Sequence, residues 1–144
     1  MAHYAMSVSN TALSTSNDLL TLIAAANRRI RVVEISVGGM GTASAANELR
    51  VARSTGGTTP SGGVSMEPLE PDSAAAGFTN ATAWAAQPTI GNVMLRIPVN
   101  ANGGVYRWVA RPGEEIIARN SGQISLRSAV GTSSVSLHVV VDEF

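Results

Sequence analysis

Val93-Met-Leu-Arg-Ile-Pro-Val99, the turn Asn100-Ala-Asn-Gly-Gly104, Val105-Tyr-Arg-Trp-Val109, Arg111-Pro-Gly113, Glu115-Ile-Ile-Ala-Arg119, Asn120-Ser-Gly122, Gln123-Ile-Ser-Leu-Arg-Ser128 and Ser134-Val-Ser-Leu-His-Val-Val-Val141 decide the fold class. Val93, Leu95, Ile97 and Val99 alternate with Met94, Arg96 and Pro98, which is the period of a strand with one buried face. Short extended segments at close, regular spacing, broken by Gly, Asn and Pro, predict an all-β sandwich or barrel. The segments are built from Ala, Ser, Thr, Gly and Val, with few of the residue types that do chemistry. A building block or binding module is therefore expected over an enzyme.

Composition narrows the function classes. At 144 residues the chain predicts a single domain over 1–144, long enough to bury a core without staples. There is no cysteine, which excludes disulfides, thiolate metal sites and thiol nucleophiles. All ten basic residues are Arg and none is Lys, so a phosphate-loop lysine, Schiff-base chemistry and a Ser-Lys dyad are excluded too. Ten acidic residues bring the formal net charge to zero, and without a basic surplus no nucleic-acid partner is expected. Met1 to Met6 lacks the basic start and apolar run of a signal peptide. The longest apolar stretch, around Leu19 to Ala26, is too short to span a bilayer, so no membrane partner is expected either.

Reading outward from the deciding stretch, Tyr4, Met6 and Val8 alternate with small polar residues and predict an opening strand. Residues 1–17 read as an extended amino-terminal arm plus that strand, with Asn10 to Asn17 a loop. Over Asp18 to Ala26, a short helix capped by Asn17 competes with a strand. The strand is favoured, turning at Asn27-Arg28 into a hairpin with the extended run Arg29 to Val37. In that run the apolar parity changes between Val32 and Val33, which fits a bulge or a strand covered on both faces. Asn47 to Ser54 predicts another strand, Thr55 to Gly63 a loop, and Val64 to Pro71 a short extended piece limited by its prolines. Asp72 to Gln87 is the least strand-like region. There Ser73 is placed to cap a brief helical turn, with Phe78 and Trp84 as anchors on the core. The count is roughly eight strands, the number of a double-sheet jelly roll, and the fold class expected is an all-β, jelly-roll-like antiparallel β-sandwich.

Few residues carry chemistry. Gly39-Met-Gly41 follows a strand but lacks the third glycine and the long helix of a dinucleotide loop. His138 shares a strand face with Ser134 and Ser136, opposite Val135, Leu137, Val139 and Val141, and no Gly-x-Ser-x-Gly elbow accompanies it. Glu67, Glu70 and Asp72 form an acidic, proline-stiffened connector whose spacing matches no calcium loop. Glu114 and Glu115, adjacent on a strand, point to opposite faces and cannot share one site. Tyr106 and Trp108 share a strand face beside Arg107 and suit a core or subunit interface. No catalytic, cofactor-binding or metal-binding residue is assigned, and no cofactor is expected. The candidate interface residues are Tyr106, Trp108, Glu67, Glu70 and Asp72.

The order of elements resembles the jelly-roll capsid decoration (cement) proteins of tailed-phage virions. Three pieces carry the resemblance: Leu19-Leu-Thr-Leu-Ile-Ala-Ala-Ala-Asn-Arg-Arg-Ile-Arg-Val-Val-Glu-Ile-Ser-Val37, Pro88-Thr-Ile-Gly91 after an Ala/Thr-rich stretch containing Trp84, and Arg111-Pro-Gly-Glu-Glu-Ile-Ile117. They span most of the chain as fold-level patterns and transfer no catalytic residue. The resemblance implies a non-enzymatic virion structural protein, made in the host cytoplasm and bound to the outer capsid surface. Its implied partners are the major capsid protein and copies of itself in a homotrimer. The contacts expected are Met1 to Asn17 and the loop Glu67 to Asp72. The alternative reading is a receptor- or carbohydrate-binding β-sandwich module of a virion or tail.

Overall fold

A computed structural model describes residues Met1–Phe144. Thirteen strands and no helix make up the chain: β1 Ala2–Ala12, β2 Asp18–Ile23, β3 Arg29–Met40, β4 Ala46–Thr55, β5 Thr58–Ser61, β6 Glu67–Pro68, β7 Thr79–Ala81, β8 Ala83–Ala86, β9 Thr89–Asn100, β10 Asn102–Val109, β11 Ile116–Arg119, β12 Gln123–Val130 and β13 Ser134–Glu143. The strand expected over Asp18 to Ala26 forms, and so do those expected around Asn47 to Ser54 and from Val93 onward. No helix is long and apolar enough to cross a membrane.

Eight of these strands build two antiparallel sheets. The first runs β10-β3-β13-β1, extended at its far edge by β6. The second runs β2-β12-β4-β9, extended by β7. Ranked along the chain, the eight fall in the order 6-3-8-1 and 2-7-4-5, which is the strand order of a jelly roll. Nearly every connection therefore crosses from one sheet to the other, and only β4 and β9 follow one another within a sheet. The expected hairpin between the Leu19 to Ile23 strand and the Arg29 to Val37 strand does not form. β2 pairs β12 and β7, whereas β3 pairs β13, β10 and β11. The apolar faces of β2 and β3 meet across the core, which buries more surface than edge-to-edge pairing of two such strands.

The parity change in β3 is a bulge. Val140 pairs Glu34 while the next residue of β13, Val141, pairs Val32, leaving Val33 unmatched. The extra residue flips the alternation, so Ile30 and Val32 before it and Ile35 and Val37 after it all point inward. These meet Tyr4, Met6, Leu137, Val139 and Val141 of their own sheet, and Leu20, Leu22, Leu49, Val51, Ile97, Ile124 and Leu126 of the other, in one cluster. Gly39 near the end of β3 lies against the turn after β9. A Cβ there would fall 2.1 Å from the Asn100 carbonyl oxygen, so only glycine admits this approach.

The opening strand expected around Tyr4, Met6 and Val8 is β1, hydrogen-bonded between β13 and β6, and Tyr4, Met6, Val8 and Leu13 are buried. One further expectation is corrected: the stretch after Ser73 forms no helical turn. Residues 56–88, inserted between the paired strands β4 and β9, form four short strands joined by turns and bends and wrap one side of the sandwich. β6 adds to β1, β7 adds to β2, and β5 pairs β8 as a separate ribbon. Phe78 anchors this wrap in the core, its ring edge-on to Tyr4 with centroids 5.7 Å apart, and the Tyr4 hydroxyl donates to the Ala74 carbonyl at 2.7 Å.

The alternation in β13 predicts unequal responses to one substitution. Leu137→Asp places a charge among buried apolar side chains and is expected to abolish cooperative folding. Ser136→Asp, on the outward face, is expected to cost about 1 kcal/mol or less, since a carboxylate there stays in solvent and can still accept from the Asn10 N–H that now bonds the Ser136 hydroxyl. Urea unfolding followed by circular dichroism compares the two.

Candidate functional site

The sequence-derived interface residues sit at opposite edges of one sheet. Tyr106 and Trp108 lie on β10, and Glu67 lies on β6 with Glu70 and Asp72 just beyond it. Both aromatics are half-buried against the core, so they form the layer beneath the surface. The residues of β10 that face outward are Val105, Arg107 and Val109. Val105 is 82% exposed and Val109 53%, the apolar margin of a strand whose far edge has no partner. Glu67, Glu70 and Asp72 are exposed, and Glu67 accepts a hydrogen bond from the Ser65 hydroxyl.

Small residues floor the outer face beside β10. Ser7, Ser9, Ser36, Gly38, Val105 and His138 line a shallow groove of 300 Å³. Next to it on β3 and β10 lies a charge pair. Arg107 grips Glu34 with two bonds, Nε to Oε1 at 2.7 Å and an Nη to Oε2 at 3.0 Å. The hydrogen bond from Arg107 holds the Glu34 carboxyl below its ordinary pKa of 4.5, against a smaller opposing effect of desolvation. His138 Nδ1 lies 3.2 Å from the Ser7 hydroxyl, and no carboxylate bonds the other ring nitrogen. A serine activated by a His-carboxylate relay needs the ring held from its far side, and that geometry is not present in this pair.

The densest polar arrangement lies on the outer face of the other sheet, under the wrap of residues 56–88. Asp18, fully buried in its side chain, accepts from Thr21 Oγ1 at 2.6 Å, from the Ser125 hydroxyl at 2.5 Å and from Arg127 Nε at 2.6 Å. Arg127 also donates to the Pro88 carbonyl at 3.0 Å, and Trp84 Nε1 donates to Thr21 Oγ1 at 3.0 Å. Gln87 accepts from the Asp18 amide. This network ties β2, β12 and the wrap together and serves as structure, since each member is committed to a partner. Nothing in the local sequence singles out Asp18, Ser125 and Arg127, which are brought together only by the pairing of β2 with β12.

A second charged set surrounds the Asp142 carboxylate, which His3 Nδ1 contacts and Arg31 reaches at 3.2 Å, with Glu115 3.6 Å from Arg31. No group of three or more His, Asp and Glu side chains is placed to hold a metal ion. Gly39-Met-Gly41 runs along the end of β3 and into the following turn. No family model, curated protein or solved structure matches the chain.

Two measurements check this electrostatic picture. Arg107→Gln is expected to raise the Glu34 pKa toward the ordinary value in a carboxyl-carbon NMR titration. Because the folded-state pKa is lowered, the stabilisation from this pair is present above 4.5 and fades as pH falls through the depressed value; the variant loses that pH dependence. For the buried network, Asp18→Ala leaves Arg127 without its counter-charge and is expected to cost about 3–5 kcal/mol in denaturant unfolding. The double variant Asp18→Leu/Arg127→Met is expected to be more stable than Asp18→Ala alone.

Proposed function

We propose that this chain is a non-enzymatic structural protein of a virion that decorates and stiffens the outer surface of a phage capsid. The observation that supports this reading most directly is the open edge of β10. Soluble β-proteins protect their edges, and this one covers the opposite side of its sandwich with β6 and β7. β10 keeps an unpaired backbone edge and exposed Val105 and Val109, which suits burial against another protein. A second contact region is the exposed loop Glu67 to Asp72 with Leu69 at its centre, at the far edge of the same sheet. Two contacts on opposite edges let one subunit bridge two neighbours, and the second contact forms at high effective concentration. The major capsid protein is the partner of this arrangement, and the decorating unit is a homotrimer, the closed symmetry by which small domains share one contact surface.

The test mixes purified protein with particles that lack it and measures occupancy and heat resistance. Saturable addition with a raised disruption temperature is expected, and only modest loss of occupancy at raised salt, because the docking edge is apolar. Val105→Glu/Val109→Glu is expected to keep its own unfolding temperature and lose occupancy. Failure of the unaltered protein to add, or addition without added resistance, overturns the cement reading, and binding on a glycan array would then favour a receptor-binding module. Light scattering that finds only monomer, both free and after release from particles, removes the trimer.

A further inference from the structure

The zero net charge conceals an uneven distribution. Arg28, Arg31, Arg96, Arg107 and Arg127 each lie within 4 Å of a carboxylate, and Arg29, Arg50, Arg53, Arg111 and Arg119 do not. Three of the unpaired five converge. Arg29 on β3 and Arg119 on β11 are directly opposite one another in the ladder, so two like charges share one face of the sheet. Arg53 reaches across from β4 in the other sheet and donates from an Nη to the Ile117 carbonyl at 2.7 Å. Together Arg29, Arg53, Arg119 and Ile117 line a cleft of 370 Å³ that no acidic side chain enters.

Two of the three guanidiniums are held in place by something other than an anion. Arg29 packs on the Phe144 ring, 5.4 Å from its centroid, and its backbone exchanges two 3.0 Å hydrogen bonds with Phe144. Arg53 is fixed by the Ile117 carbonyl. Arg119 is set on the short strand β11, immediately before a turn in which Asn120 and Ser121 both take positive φ. Glu143, opposite Ile30 in the ladder, accepts from the Gly77 amide at 2.8 Å and lies 3.9 Å from Arg28. A cross-strand pair of like charges destabilises a sheet by up to about 1 kcal/mol unless a counter-charge joins it. Placing a third arginine on the same cleft compounds the repulsion.

We propose that the cleft between β3, β11 and β4 is a binding site for a multiply charged oxyanion, held by Arg29, Arg53 and Arg119. Planar guanidinium forks meet carboxylate and phosphate oxygens with paired bonds, and three of them supply more donors than a single carboxylate can accept. The ligand class is a phosphate group or a compact polycarboxylate. This site is separate from the β10 edge and stands whether or not the capsid reading holds.

The test is thermal unfolding and calorimetric titration of the full chain with inorganic phosphate and with citrate, each against sodium chloride at matched ionic strength. Saturable stabilisation by phosphate or citrate beyond that of chloride is expected, and the stronger of the two identifies the oxyanion chemistry. Arg119→Gln is expected to weaken that binding at least about tenfold, the loss of one charge-assisted bond, while its unfolding temperature in chloride stays equal to or above that of the unaltered protein. Arg111→Gln, which removes an unpaired arginine outside the cleft, is expected to leave the binding unchanged. Stabilisation no greater than that from chloride overturns the site, as does full retention of binding in Arg119→Gln or an equal loss in Arg111→Gln.

Discussion

The unmatched residue Val33 in β3 is the constraint on which the rest of this sandwich depends. A regular strand of that length would carry either Ile30 and Val32 or Ile35 and Val37 to the solvent face. The bulge turns both pairs inward and lets one strand serve the whole length of the core. It also divides the outer side of β3 into two lanes. β10 pairs with Glu34 to Met40 and β11 pairs with Arg29 to Val32, with the Ala110 amide bonding the Val33 carbonyl at the break. The small-residue groove and the arginine cleft belong to these separate lanes.

The two sides of the sandwich are treated differently. On the side of β1 and β2, the insertion at 56–88 adds a strand to each sheet, docks Phe78 on Tyr4 and seals the Asp18 network. Covering that network raises the energetic cost of any unpaired member, since a buried ion without its partner lacks both water and a counter-charge. On the other side, β10 keeps an open edge. The two sides therefore differ in kind: one is capped by short strands of the insertion, and the other ends in the unpaired backbone of β10.

Charge follows the same economy. The Arg107–Glu34 grip on the outer face and the Arg127–Asp18 pair under the wrap spend arginine on local order, exposed in the first case and buried in the second. The first is screened by solvent and contributes little beyond local order on β3 and β10. The second is desolvated and rigidifies the join between the insertion and the sheet. Three of the five arginines left without carboxylates gather where β3, β4 and β11 meet, so an even overall balance coexists with one strongly positive cleft.

Period-two alternation of apolar residues in β1, β9 and β13 was enough to identify the strands and their buried faces, because side-chain direction along an extended chain is a local property. The bulge left its trace in the sequence as a change of parity between Val32 and Val33, a pattern that a strand covered on both faces gives equally. Which strands pair is not local. β2 and β3 are joined by a short turn and both read as apolar strands, and they nonetheless belong to different sheets, since stacking their faces buries more than joining their edges. The wrap at 56–88 was obscure because its strands are short and rich in Ala, Thr and Gly, and they are extended only through the edges they join. Glu67, Glu70 and Asp72 could be read as an exposed acidic loop, yet their separation from Tyr106 and Trp108 by the full width of a sheet could not. The Asp18 network and the cluster of Arg29, Arg53 and Arg119 draw on residues far apart in the chain, and only the jelly-roll pairing of β2 with β12, of β3 with β11, and the stacking of β4 against them bring those side chains together.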